Sequence, residues 1–130
     1  MYYAVVLTEE SRKKLIKYFN LDSDTKYAHH CTMLYFPEVL KELVKNNSVG
    51  KFAEEHLGCK INLTVDEYVE TPSIIACGVS GVLSINENPH ITLYVAEGHK
   101  PVESNFLDWD NSSIPLQNPL ELEGYITLCK

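Results

Sequence analysis

The chain has 130 residues, 45% of them hydrophobic and 22% charged, the make-up of a globular protein long enough to bury a real core. Its formal net charge of −7 argues against a broad surface for long nucleic acid, which needs many Lys and Arg side chains to neutralise phosphates. No apolar run is long enough to span a bilayer, and the apolar start from Met1 to Leu7 lacks the basic flank of a signal peptide.

In chain order, residues 2–7 read as a strand. Thr8 suits a helix N-cap, Glu9 and Glu10 suit the first turn, and Leu15, Ile16 and Phe19 give one apolar face to a helix over 9–19. Residues 21–28 are polar and loop-like, and 29–36 read as a second strand. Pro37 fits the first position of a following helix, with Val39, Leu40, Leu43 and Val44 as its buried stripe. A short helix over 50–57 is stopped by Gly58. The second half is richer in strands. Ile61, Leu63 and Val65 alternate with polar residues, and Ser73 to Val79 is a denser run suited to a central strand. Asn86 to Pro89 is a turn, His90 to Ala96 a strand, and Lys100 to Glu103 opens a short helix. Asp108 to Asn118 reads as an irregular loop, and Leu120 to Cys129 as the last strand. The expectation is a mixed α+β chain forming one domain over residues 1–130.

Four cysteines, Cys31, Cys59, Cys77 and Cys129, show no CxxC spacing. Free thiols and a cytoplasmic location are expected.

The feature that carries chemistry is a repeat. His30-Cys31-Thr32-Met33 returns as His90-Ile91-Thr92-Leu93. Both copies fall on expected strands, where residues i and i+2 share a face. Each copy therefore presents an imidazole beside a hydroxyl. One such triplet is weak evidence, and a lone strand histidine is more often structural. Two facing copies have a mechanism. Cleaving a phosphodiester needs a base to activate water and an acid to protonate the leaving oxygen, and histidine titrates near neutrality. The threonine hydroxyls can donate to phosphate oxygens where charge builds.

The paired His-x-Thr-apolar pattern resembles the 2H phosphoesterases, the cyclic phosphodiesterase-like proteins. Asn88-Pro89-His90-Ile91-Thr92-Leu93, the preceding Ala76-Cys77-Gly78-Val79 and the following Lys100-Pro101-Val102-Glu103-Ser104-Asn105 carry most of the likeness. That stretch is similar to the phosphodiesterase-like domains of RNA-repair ligases. The resemblance implies a bilobal, pseudo-symmetric α+β fold in which two antiparallel sheets form a central cleft with helices packed outside. It also implies that His30 and His90 are the acid–base pair and Thr32 and Thr92 the phosphate clamps. In that scheme His90 activates water and His30 protonates the leaving group.

Neighbouring residues have two readings each. Tyr94, at i+4 from His90, is expected on the motif face, where it either stacks a base near the phosphate or is a partly buried core tyrosine. Tyr35, at i+5 from His30, is expected on the other face. Lys100 either draws the phosphate with its cation or is solvated. Ser104 and Asn105 either cap a helix or touch substrate. Trp109 is either a stacking platform or a satellite core anchor. Strict alternation turns His29 away from His30. Adjacent strand residues point apart and no second ligand pair has suitable spacing, so no metal or cofactor is expected.

The leading expectation is a metal-independent, monomeric phosphodiesterase acting on a small cyclic nucleotide or an RNA terminus bearing a cyclic phosphate. The alternatives are a non-catalytic nucleotide-binding module and an accessory factor in RNA-end repair. Neither membrane attachment nor an extended nucleic-acid surface is expected.

Overall fold

The computed structural model describes residues 1–130. Strand β1 (Tyr2–Leu7) leads into helix α1 (Glu9–Tyr18), and β2 (His30–Tyr35) follows a loop. Helix α2 (Ser48–Glu55) precedes β3 (Lys60–Glu70), β4 (Ile74–Ser80) and β5 (His90–Val95). A 3-10 helix (Pro101–Phe106) and the short α3 (Trp109–Ser112) then lead to β6 (Ile114–Cys129). Thr8 caps α1 by accepting from the Ser11 N–H (3.1 Å), and Asn47 caps α2 by accepting from Val49 and Gly50.

The six strands form one closed antiparallel barrel in the order β1-β2-β5-β4-β3-β6. This corrects the expectation of two sheets arranged as two lobes around a cleft. The closing element is β6, whose 16 residues pair with β3 and, through Gly124 to Cys129, also with β1. Closure leaves no edge strand to carry unpaired backbone groups. Gly124 lies where β6 meets both neighbours. A Cβ there would fall 2.6 Å from Val5 Cγ1 and 2.7 Å from the Val6 carbonyl oxygen. The segment expected to be an irregular loop, 108–118, holds α3 and the start of β6.

Tyr3, Val5, Cys31, Met33, Leu63, Val65, Cys77, Ile91, Leu93, Leu122 and Ile126 fill the barrel. Helix α1 adds Leu15 and docks on β6, where the Glu123 N–H donates to Ser11 Oγ (2.8 Å). Helix α2 adds Val49 and Ala53. The helix expected after Pro37 breaks into two 3-10 turns, Glu38–Leu40 and Leu43–Asn46. Only part of its stripe buries: Val44 packs against the core, whereas Val39 is 86% and Leu43 64% exposed. No helix is long and apolar enough to cross a membrane.

A second apolar cluster lies on the outer face of the sheet. Val69, Ile74 and Ala76 pack there under Trp109, with Val95 and Leu107 at the margin. It fixes α3 against β3 and the 3-10 helix beside β4 and β5.

A candidate two-histidine active site

Strands β2 and β5 are neighbours, and Cys31 pairs with Ile91. That register sets His30 opposite Thr92 and Thr32 opposite His90. Cys31 and Ile91 point into the barrel and are fully buried. The four motif side chains therefore share the outer face. The two histidines lie on a diagonal, where backbone positions are roughly 7–8 Å apart, and both line the same cavity. The strands then part. The carbonyls of Thr32 and Met33 are taken by the 82–89 loop, through Ser84 Oγ (3.0 Å) and the Ile85 N–H (2.9 Å). The parting opens a groove.

Both motif strands carry the same irregularity. Ala4 pairs with Thr32 and Tyr3 with Leu34, which leaves Met33 as an extra residue. Ala76 pairs with Thr92 and Ile75 with Tyr94, which leaves Leu93 extra. Each bulge falls on the apolar residue that closes the four-residue motif. Val6 and Gly78 likewise occupy matching places opposite His30 and His90. The β1–β2 and β4–β5 pairs thus share one register about an axis between β2 and β5.

A bulge changes which residues share a face. Beyond Met33, Leu34 takes the face of buried Tyr3, and Tyr35 joins Tyr2 on the motif face. Beyond Leu93, Tyr94 takes the face of Ile75, away from Thr92. The two tyrosine expectations are therefore reversed. Tyr35 lines the groove and Tyr94 does not.

The groove is a cavity of about 600 Å³. His30, Thr32, His90 and Thr92 form its floor, and Tyr2, Tyr35, Ile85, Asn86, Val102 and Asn105 rise around them. Lys100 is not among its lining residues. Its backbone N–H donates to Glu103 Oε2 (2.6 Å), at the head of the 3-10 helix. Tyr2, Ile85 and Asn86 had no signal in the sequence, because long-range register brings them here.

The two histidines are held differently. His90 Nδ1 is 2.8 Å from the Asn88 carbonyl oxygen. A carbonyl only accepts, so Nδ1 carries the proton and Nε2 is bare. The ring packs against Trp109, with centroids 5.7 Å apart. His30 packs against Tyr2 (5.2 Å), and its Nδ1 lies 3.0 Å from His29 Nδ1. The expectation that His29 turns away from His30 is corrected. The strand begins only at His30, and buried Ala28 has a positive φ of 66°, so alternation does not extend back to His29. Burial lowers the pKa of both catalytic candidates. His30 falls to about 4, with further repulsion from His29 and His90. His90 is lowered less, since its bond to Asn88 opposes the effect of burial. In the free protein both rings are neutral at pH 7.

The threonines also differ. Thr92 Oγ1 lies 3.0 Å from the Oγ of fully buried Ser104. With Ser104 donating, Thr92 keeps its own proton for the cavity. Trp109 Nε1 donates to the Ser104 carbonyl (3.4 Å), which ties this serine to the satellite core. Trp109 is thus a core anchor that touches His90, and Ser104 is a buried neighbour of the site.

No protein-family model matches the chain, and no curated protein matches it either, so the chemistry of the site rests on its own geometry.

Proposed function

We propose that the protein is a phosphodiesterase of the 2H type, cleaving a small cyclic phosphate ester by two-histidine acid–base catalysis. The observation that carries this reading is the diagonal pairing of the two His-x-Thr motifs on the floor of one cavity. The anion enters between two neutral imidazoles and two hydroxyls. Its charge raises the proton affinity of the rings, so one proton is taken up on binding. His90 is the base: its bare Nε2 takes a proton from the attacking water as oxygen bonds to phosphorus. His30 is the acid: its Nε2 gives a proton to the ester oxygen as the P–O bond breaks. Thr32 and Thr92 donate to the non-bridging oxygens, where charge grows in the transition state. Acid, base and donors are all side chains, so turnover is expected in excess EDTA.

A cavity volume of about 600 Å³ supports a substrate with a nucleoside-sized group beside the phosphate: a 2′,3′-cyclic nucleotide, an RNA end with a cyclic phosphate, or a cyclic oligonucleotide. The test is a panel of these compounds, read by mass spectrometry with EDTA present. His30→Ala and His90→Ala should each lower kcat/KM by about 10²–10⁴ while leaving circular dichroism unchanged. Undiminished turnover in either variant would sink the assignment. Binding of a panel member without turnover by the wild-type protein would replace it with a nucleotide-binding module.

A further inference from the structure

His29 is the one titratable side chain joined directly to a catalytic candidate that the scheme above leaves unused. Its ring lies 5.1 Å from that of His30, tilted by 35°, with the two Nδ1 atoms 3.0 Å apart. Its Nε2 is hydrogen-bonded to the Lys26 carbonyl oxygen. The approach is fixed from behind by Ala28, whose N–H donates to the Thr92 carbonyl (2.9 Å).

These contacts determine where the protons lie. The Lys26 carbonyl only accepts, so His29 Nε2 always carries a proton. One proton sits between the two Nδ1 atoms. When both rings are neutral, His29 accepts there and His30 donates, which leaves His30 Nε2 bare. An added proton then has one place to go, His30 Nε2. The charge can sit on either ring according to which Nδ1 holds the shared proton, yet the cavity sees the same Nε2–H.

We propose that His29 is a positioning residue for the acid step, and that His29 and His30 work as a single two-ring acid. The proposal rests on the two-histidine phosphodiesterase reading. In the step, the ester P–O bond breaks and its electron pair takes the proton from His30 Nε2. The shared proton moves from His29 Nδ1 onto His30 Nδ1. Both rings finish neutral and the leaving oxygen is an alcohol. The proton of the attacking water is on His90. The device answers a difficulty of the site. His30 is buried and holds charge poorly, whereas His29 stands beside it outside the cavity floor. The groups facing the pair are His90, the Tyr2 ring and the Lys26 carbonyl, while the Lys26 ammonium lies over Tyr27.

The test has two arms on the intact chain. Side-chain ¹⁵N shifts of the histidines are followed from pH 8 to pH 4 in wild type and in His29→Phe, which keeps a ring and removes the acceptor. At pH 8 the His30 proton should be on Nδ1. In wild type, His29 and His30 should share one protonation step. In His29→Phe, protonation of His30 should move down by at least one pH unit, because loss of the Nδ1–H acceptor outweighs relief of the repulsion from His29. A His30 proton on Nε2 at pH 8, or a titration in the variant that stays in place or moves up as loss of repulsion alone would move it, would overturn the proposal. The second arm is the pH profile of kcat/KM on a 2′,3′-cyclic nucleotide. The alkaline limb should move to lower pH in His29→Phe, with about 10–100-fold loss at pH 7.5 that recovers on acidification. His29→Asn, whose Oδ1 accepts from Nδ1–H but holds no charge, should fall between. An equal loss at every pH overturns the relay in favour of packing. If the wild-type protein turns nothing over, the catalytic reading fails, and the nitrogen shifts still decide whether the proton is shared.

Discussion

The β1–β2 and β4–β5 pairs have the same register, the same bulge and the same His-x-Thr, yet they hold their histidines differently. His90 gives its Nδ1 proton to a backbone carbonyl and faces the cavity with a bare Nε2. His30 meets another imidazole instead, that of His29. The coverings differ too. The β5 side is sealed by buried Trp109 and Ser104, while the β2 side ends in Tyr35, which is 70% exposed. Gly78 makes the seal possible: a Cβ opposite His90 would lie 2.8 Å from Glu67 Cγ and 3.2 Å from the Trp109 ring. In the proposed mechanism the repeated motif sets where acid and base stand, and residues outside it decide which is which.

The largest expected effect breaks the comparison at those coverings. Trp109 is 4% exposed and holds the satellite core, so Trp109→Ala should cost about 3–5 kcal/mol by urea denaturation. Tyr2, its counterpart against His30, is only partly buried, and Tyr2→Ala should cost about 1–2 kcal/mol. Equal losses would show that the two halves are sealed alike.

Acid should separate the halves next. His30 protonates near pH 6.5 when unfolded but only at about 4 when folded. Its neutral form is therefore favoured by folding. Stability is complete above pH 6.5 and is lost as pH falls towards 4, because the unfolded chain takes up the proton first. The full loss is on the order of 3 kcal/mol. His30→Gln should flatten the fall in denaturant midpoint between pH 7 and pH 4.5 more than His90→Gln does, since burial lowers His90 with an opposing hydrogen bond. An identical slope in wild type and His30→Gln would show that His30 is not held neutral by the fold.

Local pattern revealed these strands because alternation is a short-range signal, and the motif face of β2 and β5 is legible up to the threonines. It fails one residue later. Nothing in Met33 or Leu93 announces a bulge, and each bulge depends on pairing with a strand remote in sequence. That is why Tyr35 and Tyr94 exchange places. Barrel closure was hidden for a related reason. Pro115, Asn118 and Pro119 give the start of β6 the composition of a loop, and its ladder does skip from Pro115 to Leu120 opposite Val65 and Glu67. The strand resumes the barrel only because β3 is long enough to pair on both sides of the break. His29 lies beyond the reach of alternation, because the strand starts one residue later, at His30.

The smallest expected effect sharpens the comparison between the two threonines. Ser104 Oγ stands 3.0 Å from Thr92 Oγ1, whereas the serine near Thr32, Ser84, bonds to its backbone carbonyl instead. Ser104→Ala should leave the Thr92 hydroxyl free to rotate and lower kcat about tenfold, equivalent to about 1.4 kcal/mol, with KM little changed. If that loss acts through Thr92, it should disappear in a Thr92→Val background and persist in full with Thr32→Val. A double-mutant cycle measures this directly, since residues in contact couple and separated ones add. Additivity with both threonines would assign Ser104 to the packing of Trp109 alone, and the asymmetry of the proposed phosphate site would then reside in the histidines.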